Sequence, residues 1–270
     1  MQTYFKTVKS LSLFLLIVFL VTNVRAQEID LLLKGGHVID AKNKINGKMD
    51  VAVKDGKVFR VAADIPASSA KKTVNVSGLY VTPGLLDIHG HVFHGTETNY
   101  LSNSLDALPP DGFTFRAGVT TVVDAGGAGW KNIDLFRKNI VEHSKTRVLS
   151  FMNIVGGGMR GVEGYEQDET DMDAKLTGTM ALKNKDIVVG IKLAHYIGHD
   201  WEPTDKAVEA GRIASIPVMV DFGKALPPLP LEDLLLKHLR PGDILTHAYR
   251  YDQEFDKNGK CWNINKRLLM

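Results

Sequence analysis

Residues 83–91 read Pro83-Gly84-Leu85-Leu86-Asp87-Ile88-His89-Gly90-His91, and this run decides the fold. Pro83-Gly84 breaks whatever precedes it. Leu85–Val92 then predicts a strand. Residues i and i+2 of a strand point to one face, so His89 and His91 present two imidazoles to the same side. Two imidazoles on one face can share a divalent ion. Taken alone, the pair is a weak signal and fits two core or surface histidines better. The neighbouring sequence settles the matter.

Upstream, residues 27–82 read as a small β-module. Ile29–Lys34, a Gly35-Gly36 pair and His37–Asp40 come first. Met49–Lys54 and Lys57–Val61 flank Asp55-Gly56, which is a hairpin signal between alternating apolar residues. Thr73–Val76 and Leu79–Val81 add two short strands. Downstream the rhythm becomes strand, Gly-rich turn, helix. Strands are predicted at 120–124, 147–154, 187–193, 216–222 and 243–247, and helices at 131–144, 172–184, 203–214 and 231–238. Another helix is predicted within Leu101–Ala117, interrupted by Pro109-Pro110. Short apolar strands alternating with helices imply a parallel sheet covered on both faces. Units of about 30 residues fit a doubly wound sheet or a (β/α)₈ barrel. No G-x-G-x-x-G follows the first strand, so a dinucleotide fold has little support.

Composition narrows the class. The 270 residues carry a net charge of +2, with 44% hydrophobic and 24% charged residues. These values fit a globular protein and argue against disorder and coiled coils. The near-neutral charge gives no reason to expect nucleic acid as a partner. The single cysteine, Cys261, excludes an internal disulfide framework and a Cys-rich zinc module. The expected partner is a small-molecule substrate, and the sequence leaves a homo-oligomer open.

Residues 1–26 read as a signal peptide. Lys6 and Lys9 precede the apolar run Leu11-Ser-Leu-Phe-Leu-Leu-Ile-Val-Phe-Leu-Val-Thr22, and Val24-Arg25-Ala26 suits cleavage after Ala26. The run is short for a span, which needs about 20 residues, so no stable membrane anchor is expected. The mature chain is expected to be periplasmic or secreted.

The run from Pro83 to His91 closely resembles the opening motif of the amidohydrolase superfamily. Lys192, ending Val188-Val189-Gly190-Ile191-Lys192, and His247, ending Asp243-Ile-Leu-Thr-His247, extend the resemblance. So do Ile216–Gly223 and Leu239–His247, which look like the deacetylase or dihydroorotase-related branch. The resemblance implies a metal-dependent hydrolase of a C–N bond, amide or cyclic amide, or of an acyl bond, in a small carboxylate-bearing substrate. It implies an α/β fold, an incomplete (β/α)₈ (TIM-type) barrel over residues 83–250, behind an N-terminal β-sandwich module.

The implied metal ligands are His89, His91, Lys192 and His247, and the implied cofactor is two divalent ions, Zn²⁺. Lys192 would be carboxylated by carbon dioxide and bridge them, which requires a neutral, partly buried amine. The fifth strand departs from the family pattern, with Asp221 where histidine is usual. Either Asp221 itself or His195, from the loop after Lys192, fills that role. His199 and Asn153 are expected to contact substrate. Asp124 either orients a ligand histidine or caps the next helix. His94 reads as a surface or supporting residue, and the acidic segment Glu163–Asp173 as a solvated loop.

The family's general base is an aspartate on an eighth strand. Only six strands are legible, and residues 251–270 read as an aberrant tail. A typical barrel needs about 250 residues. A truncated chain is therefore expected, with no catalytic residue of its own to name, and an inactive fragment or pseudoenzyme is the competing reading.

Overall fold

The computed structural model describes residues 28–94, 107–159, 165–222, 225, 227, 229–247, 254–255 and 261–262. The expected signal peptide and most of the expected tail lie outside the described residues. The chain divides into Met1–Pro83 and Gly84–Met270.

The first unit is a single mixed sheet. Its strands are β1 (Ile29–Asp40), β2 (Ile45–Lys54), β3 (Lys57–Ala62), β4 (Ala70–Asn75) and β5 (Tyr80–Val81). Their order is β3-β2-β1-β4, with β5 on β1. The Gly35-Gly36 pair does not end a strand. It forms a bulge within one long β1, where the register against β2 shifts between Leu33 and Gly36. Asp50 fixes the bulge by accepting the Gly35 amide at 2.7 Å and the Lys34 ammonium at 2.7 Å. Asp55 and Gly56 join β2 to β3 at φ 51° and 70°. Two successive left-handed residues match the right-handed twist of a hairpin, and glycine adopts that conformation freely.

The second unit is a six-stranded parallel half-barrel, ordered β11-β10-β9-β8-β7-β6. The strands are β6 (Leu85–Gly90), β7 (Val119–Gly129), β8 (Arg147–Asn153), β9 (Val188–Leu193), β10 (Val218–Asp221) and β11 (Ile244–Thr246). Helices Ile133–Asn139, Ala174–Lys183 and Glu202–Ala214 lie in the crossovers, as the rhythm predicts. Asp173 caps the second by accepting the Leu176 amide at 2.8 Å. The core joins one face of the strands to these helices, with Phe93, Phe136, Met152, Ile154 and Ile191 fully buried. Arg240 and Asp243 tie the turn before β11 to β10. Arg240 donates to Asp243 and to the Ile216 carbonyl, and Asp243 accepts the Val218 amide.

Other expectations change in the second unit. The described part of 101–117 forms two 3₁₀ turns, Pro110–Gly112 and Phe115–Ala117, rather than a helix. Pro109-Pro110 removes two backbone donors in sequence, which suits a short turn. The predicted helix at 231–238 starts as α at Leu231–Asp233 and continues as a wider π segment. Strand β6 is not covered on both faces, because it is an edge strand and Leu85, Leu86 and Ile88 are exposed.

Candidate functional site

Register brings the chemistry to one edge. Gly90 pairs with Asp124, Asn153 with Lys192 and Asp221 with Thr246, so the carboxyl ends of all six strands line up. That end of a barrel carries the active site in enzymes of this architecture.

On β6, the His89 amide is held by Asp87 at 2.9 Å. The His89 and His91 rings stand 5.5 Å apart, and His247 lies 4.9 Å from His89. Two imidazoles sharing one ion need a ring separation of about 5 Å. His89 Nδ1 bonds Thr246 Oγ1 at 2.8 Å, which leaves Nε2 for a ligand. Burial, with Lys192, His91 and His247 nearby, lowers the pKa of His89 to about 4, so the ring is neutral at pH 7. His247 is exposed and sits at φ 57°, a backbone conformation that a non-glycine residue holds only when its surroundings impose it.

Lys192 is the most unusual residue in the unit. It is 1% exposed. Burial lowers its pKa to about 8, while Asp221 and Glu166 pull it partly back up. Its stem passes Gly126, which has φ 99°, and a Cβ there would lie 2.7 Å from Lys192 Cγ. Only glycine admits both the backbone conformation and the lysine.

His195 and Asp221 come together. His195 leaves β9 at φ 54°, and its Nε2 lies 3.4 Å from Asp221 Oδ2. Nitrogen and oxygen ligands of one tetrahedral ion stand about 3.4 Å apart. The sequence left the fifth-strand role to one or the other, whereas the structure places them edge to edge.

Asp124 is fully buried and accepts the amides of Val92 at 2.8 Å, Phe93 at 3.1 Å and Gly127 at 2.5 Å. It fixes the backbone just after His91 and caps no helix. Burial raises its pKa, against the pull of these amides and of His91. Asn153 is buried, donating to the Gly126 carbonyl at 3.1 Å and accepting the Val155 amide at 3.0 Å. His199 is exposed in the loop after β9. His94 is half-buried and turned to the Val92 carbonyl at 2.9 Å.

One residue was missed. Glu166 lies in the segment read as a solvated loop, yet it is 7% exposed and its Oε2 lies 2.8 Å from His195 Nδ1. Only the fold brings the two loops together, so no local signal marked it.

Among the described residues, no three His, Cys, Asp or Glu side chains form a ready cluster for an ion. The donors stand as pairs around Lys192. Their ring spacings, the His195–Asp221 edge and the buried amine fit divalent ions in donor type and separation.

The comparisons agree with this fold. A deacetylase of Agrobacterium fabrum is 30% identical over 201 residues, spanning 72% of this chain and 47% of its own. A dihydroorotase structure matches with a TM-score of 0.65 and 25% identity, over 85% of this chain and 59% of that one. An adenine deaminase structure matches with a TM-score of 0.70 and 29% identity, over 89% and 63%. The chain belongs to the amidohydrolase superfamily. The homologues of this amidohydrolase chain are of the deacetylase and dihydroorotase-related kind, and it spans about half the length of the curated deacetylases it matches first. No family model matches it.

Proposed function

We propose that this chain carries the metal-binding half of a hydrolase that cleaves a C–N bond, amide or cyclic amide, or an acyl bond, in a small carboxylate-bearing molecule. The observation that carries the reading is Lys192, buried at a strand end within electrostatic reach of both His89 and Asp221. A buried ammonium is costly, and an amine with a pKa of about 8 is available to carbon dioxide. His89, His91, Lys192 and His247, with His195 and Asp221, would hold two zinc ions. Ions so bound lower the pKa of water and polarise a carbonyl.

The chain's own residues prepare that chemistry. His89 stays neutral and offers Nε2. Asp124 fixes the turn after His91. Gly126 makes room for the Lys192 stem, with Asn153 packed beside it. His199, exposed beyond β9, would contact substrate. The names deacetylase, dihydroorotase and adenine deaminase among its relatives support hydrolysis at C–N bonds. The apolar run at 11–22 supports a location outside the cytoplasm.

A second reading is favoured by one observation. The described half-barrel has six strands, and the aspartate that the family resemblance places on an eighth is not among them. On that reading the chain alone binds metal without turnover. The test is an assay of the full chain, with zinc and bicarbonate, on N-acetyl amino acids and dihydroorotate. Turnover lost in His89→Ala supports the enzyme, and metal binding without turnover supports the second reading. Absence of both overturns the two together.

A further inference from the structure

We propose that Glu166 is the positioning residue that makes His195 a metal ligand, so that the loop after β9 supplies the imidazole that β10 lacks. This rests on the metal-binding reading above.

Glu166 Oε2 lies 2.8 Å from His195 Nδ1. With Nδ1–H donating a hydrogen bond to Glu166, Nε2 keeps its lone pair and faces Asp221 Oδ2 at 3.4 Å. Two acceptors facing each other at that distance repel unless a positive centre lies between them. The separation is that of two ligands on one tetrahedral ion, about 3.4 Å. A carboxylate bonded to the far nitrogen of a ligating imidazole fixes its tautomer and orientation.

The loop after β8 is built to hold this arrangement. The Glu166 side chain is more than nine-tenths buried, and among the described residues its Oε1 has no hydrogen-bond partner. Burying a carboxylate so incompletely satisfied is costly, and nearby positive charge offsets that cost. Gln167 clamps the His195 turn from both sides. Its Nε2 donates to the His195 carbonyl at 2.8 Å, and its Oε1 accepts the Ile197 amide at 2.8 Å. The clamp maintains the left-handed conformation at His195, φ 54°.

The test uses the full chain stripped of metal. Zn²⁺ binding is measured by competition with a chromophoric chelator, and Co²⁺ absorption reports coordination. Far-ultraviolet circular dichroism checks the fold of each variant. Wild type is expected to bind two ions. Glu166→Gln, close in shape, is expected to weaken one of them about 10–100-fold and leave the other unchanged. His195→Ala is expected to affect the same ion, and the double variant to bind no worse than His195→Ala alone. Additive losses, or a Glu166→Gln chain that binds like wild type, would overturn the proposal. So would unchanged binding in His195→Ala, as expected if the ring is an imidazolium bridging the two carboxylates, while the metal reading would stand. Wild type that binds no divalent ion overturns both.

Discussion

The Nε2 of His195 lies 3.4 Å from Oδ2 of Asp221. Asp221 ends the strand where the family resemblance led us to expect histidine, and His195 reaches it from the preceding strand's loop. The carboxylate adds negative charge that a histidine at this strand end would not bring. Replacing Asp221 by histidine should relieve the need for His195. In an Asp221→His background, His195→Ala should cost at most a few-fold in zinc affinity. In the native background it should cost about 10-fold or more. Chelator competition on the four proteins checks this.

Lys192 sets a pH signature for stability. Folding lowers its pKa from 10.5 to about 8. The unfolded chain therefore binds more protons between those values, and metal-free stability should gain from this residue as pH rises through that window. Lys192→Met removes that contribution. Its urea midpoint at pH 7 should exceed that of the metal-free wild type, and its stability should be flatter between pH 8 and 10.

Gly126→Ala tests whether the lysine channel is built as described. Alanine at φ 99° is strained, and its Cβ would meet Lys192 Cγ at 2.7 Å and Asn153 Nδ2 at 3.2 Å. A loss of about 2–4 kcal/mol is expected, larger than for a typical substitution. In Lys192→Ala, which removes the Cγ that the new Cβ would meet, the same change should be less costly. Urea unfolding of the single and double variants measures the difference.

Arg240 and Asp243 hold the last strand of the half-barrel. Burial would raise the pKa of Asp243, but Arg240 and the amides of Arg240 and Val218 bring it below 3.8. A lowered folded-state pKa contributes stability that is present above the unfolded value and lost as pH falls through the folded one. Asp243→Asn should destabilise the protein by about 2–4 kcal/mol at pH 7. The difference from wild type should shrink below pH 4. Thermal unfolding at pH 3 and pH 7 checks both points.

Much of the fold was legible because the parallel strands are local apolar runs bounded by turn residues. Val188–Leu193 and Val218–Asp221 fall where their Val and Ile content puts them. The placement of candidate residues was legible where it rests on strand period and strand ends, as with His89, His91 and Lys192. It was illegible where two loops meet. Glu166 and His195 lie 29 residues apart, and nothing local in an acidic, Gly-containing segment distinguishes a buried carboxylate from a solvated one. The exposure of Leu85, Leu86 and Ile88 was equally hidden, because apolar sequence says strand and does not say edge.

The most direct test of a metal centre at the strand ends is anomalous diffraction at the zinc edge from crystals of the full chain grown with zinc. Peaks are expected beside His89, His91 and His247, and beside His195 and Asp221. A well-ordered map with no anomalous peak at this strand-end site, zinc being present in the crystal, would contradict the centre outright.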